Sequence, residues 1–244
     1  VSRTSTLGML GRVFSTDLLK LRRTMAVPLA VLGPVGVVSL TALNFGLRYD
    51  YLTKVYEGKL WEGLIENTLY LSFLALLLGM ALLASQFAGQ EHQTRAWKQT
   101  LALPVSRFSV FTSKLILLVL LLAFSCLLLF GGIWLLGGLL GFGWLPPLAL
   151  LARTAFFPLP AGLACLVLQY GLSVAFKNQA ISLTVGILGC VVGMYGMLPD
   201  WVIWKWPLLE NHTGKPEWSV FAGILAGVPL FVLGCAHFIR KDVN

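Results

Sequence analysis

Charge is scarce in this sequence. Asp, Glu, Lys and Arg make up 11% of its 244 residues, against about a quarter in an average soluble protein. No GxxxxGK[ST] loop occurs, so the chain by itself holds no nucleotide in the P-loop manner. No HExxH occurs, and His92, His212 and His237 are scattered, which gives no basis for a metal or histidine-based catalytic site. No CxxC pair occurs. Cys126, Cys165, Cys190 and Cys235 all lie in apolar runs, where free cysteine packs as a small hydrophobe rather than binding zinc or cycling redox state. The apolar runs also lack the rows of acids that proton-driven pumps use. They hold only mild polar residues such as Gln169, Tyr170, Ser173, Ser182 and Thr184. The first residues are basic and amphipathic, with no apolar stretch ending in a cleavage site, which argues against a secreted protein.

What is there is hydrophobic: 57% of the residues. Not one charge falls between Leu115 and Ala152, a run well beyond the roughly 20 residues that cross a bilayer. The pattern predicts an all-α polytopic membrane protein forming one transmembrane domain over 1–244, with six spans near 25–45, 65–87, 114–137, 152–176, 179–199 and 218–238. Pro28 and Pro34 in the first span, and Pro158 and Pro160 in the fourth, are expected to kink helices rather than end them. Pro146-Pro147, after Gly141, Gly143 and Trp144, reads as a true break, either a short re-entrant or an interfacial stretch. GxxxG spacings at Gly137/Gly141, Gly189/Gly193 and Gly223/Gly227 are expected to let helix backbones approach closely.

Lysine and arginine placement sets the orientation. With both termini cytoplasmic, twelve of the 18 basic residues fall inside, among them Arg12, Lys20, Arg22, Arg23, Arg95, Lys98, Arg107, Lys114, Lys177 and Arg240. Seven of the ten acids fall outside, and Arg153 is the awkward basic residue on that side. The outer loop at 200–217 carries Trp201, Trp204 and Trp206. Tryptophan favours the headgroup level, so this loop is expected to lie on the outer membrane surface as an anchor. The alternative is a lid or docking surface for an amphipathic substrate.

Two inside-facing elements stand out. Residues 8–24 place Leu10, Phe14, Leu18 and Leu21 at helical spacing among Arg12, Lys20, Arg22 and Arg23. Such a basic amphipathic helix lies in the interface plane and is drawn to anionic lipid. Residues 88–113 run polar through Glu91-His92-Gln93-Thr94-Arg95-Ala96-Trp97-Lys98, turn at Pro104 and return to the membrane after Lys114. A short helix there can be pushed by a partner and pass the push into the second and third spans. Moving a cargo uphill without intramembrane acids needs an outside energy source, and a separate ATPase is the economical one.

With Asp17-Leu18-Leu19-Lys20-Leu21-Arg22-Arg23, Glu91, Lys98, Leu103-Pro104-Val105-Ser106-Arg107 and Lys114 in this order, the chain resembles the permease subunits of ABC-2 type transporters. Among these it is similar to the small permeases that protect bacteria against lantibiotics and bacitracin-like peptides. The resemblance implies a type V exporter-like permease fold in the bacterial cytoplasmic membrane, with 8–24 as the elbow helix and about 90–103 as the coupling helix. It also implies that Glu91 and Arg95 make polar contacts with the ATPase, that Trp97 wedges beside them and Lys98 adds charge, and that Pro104 fixes the turn. Arg107 and Lys114 would grip phosphate headgroups, and Trp201, Trp204 and Trp206 would meet an amphipathic peptide outside. Implied partners are an ABC ATPase dimer, a second permease subunit and membrane lipid, not nucleic acid. ATP and Mg would sit on the ATPase, and this chain would bind no cofactor and catalyse nothing. Rival readings are an ABC-2 permease for a drug, lipid or polysaccharide, a non-transporting sensor or assembly subunit, and a membrane-embedded enzyme.

Overall fold

The computed structural model describes residues 24–93, 106–195 and 198–240, and all regular structure among them is helical. The helices are α1 (Ala26–Leu47), α2 (Tyr49–Val55), α3 (Leu60–Gln93), α4 (Arg107–Leu139), α5 (Leu148–Phe156), α6 (Pro158–Ala161), α7 (Leu163–Ala175), α8 (Gln179–Gly193) and α9 (Pro216–Arg240). A 3₁₀ turn over Ile203–Leu208 joins the last two. The expected elbow helix at 8–24 lies outside the described residues, apart from Thr24.

α1, α3, α4 and α9 are long and apolar enough to cross a membrane, and the bent α5–α7 segment brings the number to five. This multi-pass bundle differs from six similar spans in two places. α8 has 15 residues, a rise of about 22 Å at 1.5 Å per residue, short of the roughly 30 Å hydrocarbon core. The fourth expected span is broken rather than kinked. Pro158 and Pro160 cannot donate backbone hydrogen bonds, so α5 stops at Phe156, and Gly162 closes the turn onto the Pro158 carbonyl (2.9 Å). α7 then leaves at 42°. In α1, by contrast, Pro28 falls in the first turn, where no N–H is needed, and Pro34 is carried within a continuous helix.

α3 and α4 run past the expected boundaries of 65–87 and 114–137. Local capping explains the start of α4. Ser106 is extended, and its Oγ accepts from the Ser109 N–H (3.1 Å), so the helix begins two turns before Lys114. α4 ends in a turn where Gly141 (φ 83°) and Gly143 (φ 88°) occupy the left-handed region. Trp61 Nε1 closes this turn by donating to the Phe142 carbonyl (3.0 Å).

Cross-contacts fix which ends lie together. Tyr49 Oη donates to the Leu140 carbonyl (3.0 Å) and Asn44 Nδ2 to Asn67 Oδ1 (3.4 Å), which gathers the end of α1, the start of α3 and the end of α4. At the opposite end, Lys114 meets Glu91 and Arg107 meets Ile239. Between the ends, Phe111 stacks on Tyr170 (4.8 Å between centroids) and lies 5.8 Å from both Phe231 and Phe238, welding α4 to α7 and α9. All four cysteines are buried and unpaired, as packing residues.

The small residues do different jobs from one another. Gly223 and Gly227 let α9 pack directly on the α6–α7 backbone, since a Cβ at Gly223 would overlap the Ala161 carbonyl. Gly137 receives the Trp61 ring, and its expected partner Gly141 sits in the turn. Gly189 and Gly193 receive Trp204 instead of another helix. Gly223→Val is expected to destabilise the protein at or above the about 1–3 kcal/mol typical of overpacking, because rigid backbone stands in the way. Gly36→Ala meets nothing within 4 Å and is expected to be neutral. Thermal unfolding of both variants in detergent, followed by size-exclusion fluorescence, checks the contrast.

Candidate functional site

α3 and α4 are consecutive, antiparallel and joined through residues 94–105, so the expected coupling segment falls at the tip of a helical hairpin. Arg95, Trp97, Lys98 and Pro104 lie outside the described residues. Arg12, Phe14, Lys20, Arg22 and Arg23 of the amino-terminal element lie outside them too. The structure does place the base of the hairpin.

Glu91, in the last turn of α3, points into the bundle. Lys114 Nζ donates to its Oε1 at 2.7 Å, with side-chain exposures of 5% for the lysine and 8% for the glutamate. Helix side chains lean toward their own amino terminus, so Lys114 reaches back along α4 toward the end of α3. A buried lysine paired this way is not a headgroup-facing one, which departs from the sequence expectation for Lys114. Arg107 Nη1 donates to the Ile239 carbonyl (2.8 Å) at the last turn of α9, where helix carbonyls lack partners of their own. Glu91 and Arg107 each sit at the unfavourable end of their own helix dipole and at the favourable end of a neighbour's. The ends of α3, α4 and α9 are therefore stitched by charge.

Beside this end, a polar cluster fastens α8 to α7 and α3. Gln169 Nε2 donates to the Ser182 carbonyl (2.6 Å) and lies 2.8 Å from Ser182 Oγ, and Ser173 and Ser182 share a 2.6 Å hydroxyl contact. Gln179 Nε2 donates to the Ser173 carbonyl, and its Oε1 accepts from Ser85 of α3 (3.2 Å). In hydrocarbon, satisfied polar groups of this kind hold helices in register.

At the far end, the loop at 200–217 does not lie flat. Its 3₁₀ turn enters the bundle. Trp204 packs on Gly189 and Gly193 beside Phe73, Cys165 Sγ donates to the Ile203 carbonyl (3.2 Å), and Leu208 joins the main core. The short α8 leaves the space that this turn fills. Trp206 is half-buried and donates to the Asp200 carbonyl (2.6 Å), whereas Trp201 is 77% exposed. The three tryptophans thus divide, and Trp201 alone among them faces fully outward. Lys205 is buried, with Nζ on Asp200 Oδ1 (2.9 Å) and the Leu198 carbonyl (3.0 Å). His212 closes on the other Asp200 oxygen through its backbone N–H (3.0 Å) and its Nδ1. Lys205 chiefly, and then the His212 N–H, hold the Asp200 carboxyl below its ordinary range. Asp200, Trp201, Glu210, Asn211 and His212 rim an open basin. Arg153, awkward in the sequence, is matched here by Glu217 (2.6 Å) and by the Phe157 ring (5.6 Å).

The sequence pointed to Glu91 and the tryptophans. It did not pair Glu91 with Lys114, or Lys205 with Asp200. A charge spaced two turns inside an apolar helix was the available signal for Lys114. For Lys205, the signal was a lone basic residue between two tryptophans.

Among the described residues the chain is an all-helical, multi-pass membrane bundle with a charged hairpin base. Residues 13–193 match the family described as ABC-2 family transporter protein. The chain belongs to that family and is a membrane permease of an ABC transporter, a class that generally works with an ABC ATPase. No curated protein and no solved structure matches it.

Lys114→Met is expected to cost about 3–5 kcal/mol by stranding the Glu91 carboxylate, and the double variant Glu91→Gln/Lys114→Met to recover most of that loss. Chemical or thermal unfolding of the purified protein reads both. The Asp200 group titrates with the usual carboxylate sign. Its folded value is depressed, so its contribution is present above the unfolded value and is lost as pH falls through the folded one. Tryptophan fluorescence is therefore expected to hold from pH 7 to below the ordinary carboxylate range and then change, and Asp200→Asn should abolish that acid step.

Proposed function

We propose that the chain is one permease subunit of a bacterial exporter in the cytoplasmic membrane, with both termini and the Glu91 end facing the cytoplasm. A dimer of ABC ATPases, carrying ATP and Mg, docks on the segment 88–113. A second permease, identical or homologous, completes the pathway, since one bundle of this size has too few helices to enclose a large one. The bent α5–α7 and the short α8 are the fourth and fifth of six passes, with the 3₁₀ turn finishing the outer half of α8. ATP-driven closure of the ATPase pair favours one arrangement of the bundles over the other, as any ligand with differential affinity does.

The observation that carries this reading is the hairpin base. The end of α3, the start of α4 and the end of α9 lie together, tied by the Glu91/Lys114 ion pair and by Arg107 on the Ile239 carbonyl. The sequence places Arg95 and Lys98 between α3 and α4, while seven of the ten acids belong with the opposite end. The positive-inside rule counts Lys and Arg alone, and with both termini and residues 94–105 on this side twelve of the 18 basic residues fall here against six at the other end. For cargo, an amphipathic antimicrobial peptide of the lantibiotic kind fits the Asp200 end. The exposed Trp201 offers an apolar contact beside the Glu210 carboxyl on the same basin, which suits a cationic amphipath.

The test is co-expression with the ATPase encoded beside this chain and purification through a tag on the chain. The ATPase is expected to co-elute, Arg95→Ala/Trp97→Ala to lose it, and a cationic amphipathic peptide to stimulate ATP hydrolysis in the complex. Absence of co-elution in gentle detergent would refute the coupling assignment. Co-elution with no peptide response would leave a permease for another cargo or a non-transporting assembly subunit.

A further inference from the structure

We infer that Glu91 and Lys114 are a positioning pair: their contact sets the spacing and register of α3 and α4 where the two helices flank residues 94–105. The inference rests on the coupling reading for its consequence, and on the hairpin base for itself.

Stability alone does not account for this pair. Taking two charges out of water costs much of what their attraction returns, and well-packed apolar residues of similar volume often serve folding as well or better. What a 2.7 Å ion pair supplies that two leucines do not is a directional, short-range contact that one helix register satisfies. The neighbouring contacts tell the same story. Lys114 lies two turns inside α4, and its helix begins at a fixed point because Ser106 caps it. Arg107, at that fixed point, ties the same helix end to the Ile239 carbonyl of α9. Phe111, between Arg107 and Lys114, is fully buried against Tyr170 and Phe238. The start of α4 is thus anchored to α7 and α9 by aromatic packing and the Arg107 hydrogen bond, and tied to α3 by the ion pair. A load applied at residues 94–105 reaches α3 and α4 from the same side. With the pair closed, the two helices move as one lever together with α9. With it open, α3 slides against α4 and the load is dissipated at the base of the hairpin.

The experiment measures this spacing in the full chain, reconstituted in lipid nanodiscs. Spin labels go on Gln90→Cys of α3 and Ile116→Cys of α4, both exposed positions, while the four native cysteines are buried. Double electron–electron resonance then reads the distance distribution. The native pair is expected to give one narrow distribution. Lys114→Met and the stably folded Glu91→Gln/Lys114→Met should broaden or shift it by about 2 Å or more, the scale of helix shifts in switching proteins. The reversed pair Glu91→Lys/Lys114→Glu should restore the narrow distribution. A distribution unchanged in the double variant would overturn the inference, because packing alone would then set the spacing. Failure of the reversed pair to restore it, although that variant folds, would overturn it too. A parallel measurement of permease-dependent ATP hydrolysis should follow the distances, lost in the neutral double variant and regained in the reversed pair. If the distances behave as stated but no ATPase binds the native chain, the positioning pair stands and the coupling reading falls.

Discussion

Everything in this structure answers to one constraint: inside a bilayer no water is present to satisfy a polar group, so each must find its partner within the protein. Helices meet it for the backbone. Where helices stop, something else must take over, and those places are where the chain is most specific. Gly162 closes the break made by Pro158 and Pro160, Trp61 and Trp134 cap the turn after α4, and a 3₁₀ turn descends to fill the space that α8 is too short to reach. The polar side chains inside the bundle, Gln169 with Ser173 and Ser182, meet each other across α7 and α8 rather than lipid.

The same constraint shapes the two ends. At the Glu91 end, Glu91 and Lys114 are buried and paired and Arg107 sits on an orphan carbonyl, which ties the base of the α3–α4 hairpin together. At the Asp200 end, buried Lys205 holds one Asp200 oxygen and exposed His212 closes on the other, on top of the inserted turn. The bundle between the two ends is held in register by buried polar and aromatic contacts.

Much of this was legible in the sequence, and what was not has physical reasons. Apolar run length located α1, α3, α4 and α9, because crossing a bilayer is a one-dimensional requirement that sequence states directly. Both ends of α3 and the start of α4 were missed by one to two turns, the ends of α1 and α9 by about two residues. They are set by caps such as Ser106 and by tertiary partners such as Trp61, which run length does not encode. Proline was misjudged in opposite directions: Pro28 disturbs nothing because it lies in a first turn, whereas Pro158 and Pro160 in tandem break the helix. GxxxG spacing announced close approach, but not that a tryptophan would be what approaches at Gly137 and Gly189. Most of the coupling residues singled out, Arg95, Trp97, Lys98 and Pro104, lie outside the described residues. Glu91 was found by its charge alone, and its partner Lys114 needed the fold.

The central claim is that the tip of the α3–α4 hairpin is where an ABC ATPase grips this permease. The most direct measurement puts a photo-reactive phenylalanine analogue at Trp97 in the membrane-embedded complex, irradiates it, and identifies what it captures. The account predicts a cross-link to the ATPase from position 97 and none from the equivalent analogue at Trp201, at the opposite end. An assembled complex in which position 97 captures only lipid or this chain itself would contradict it.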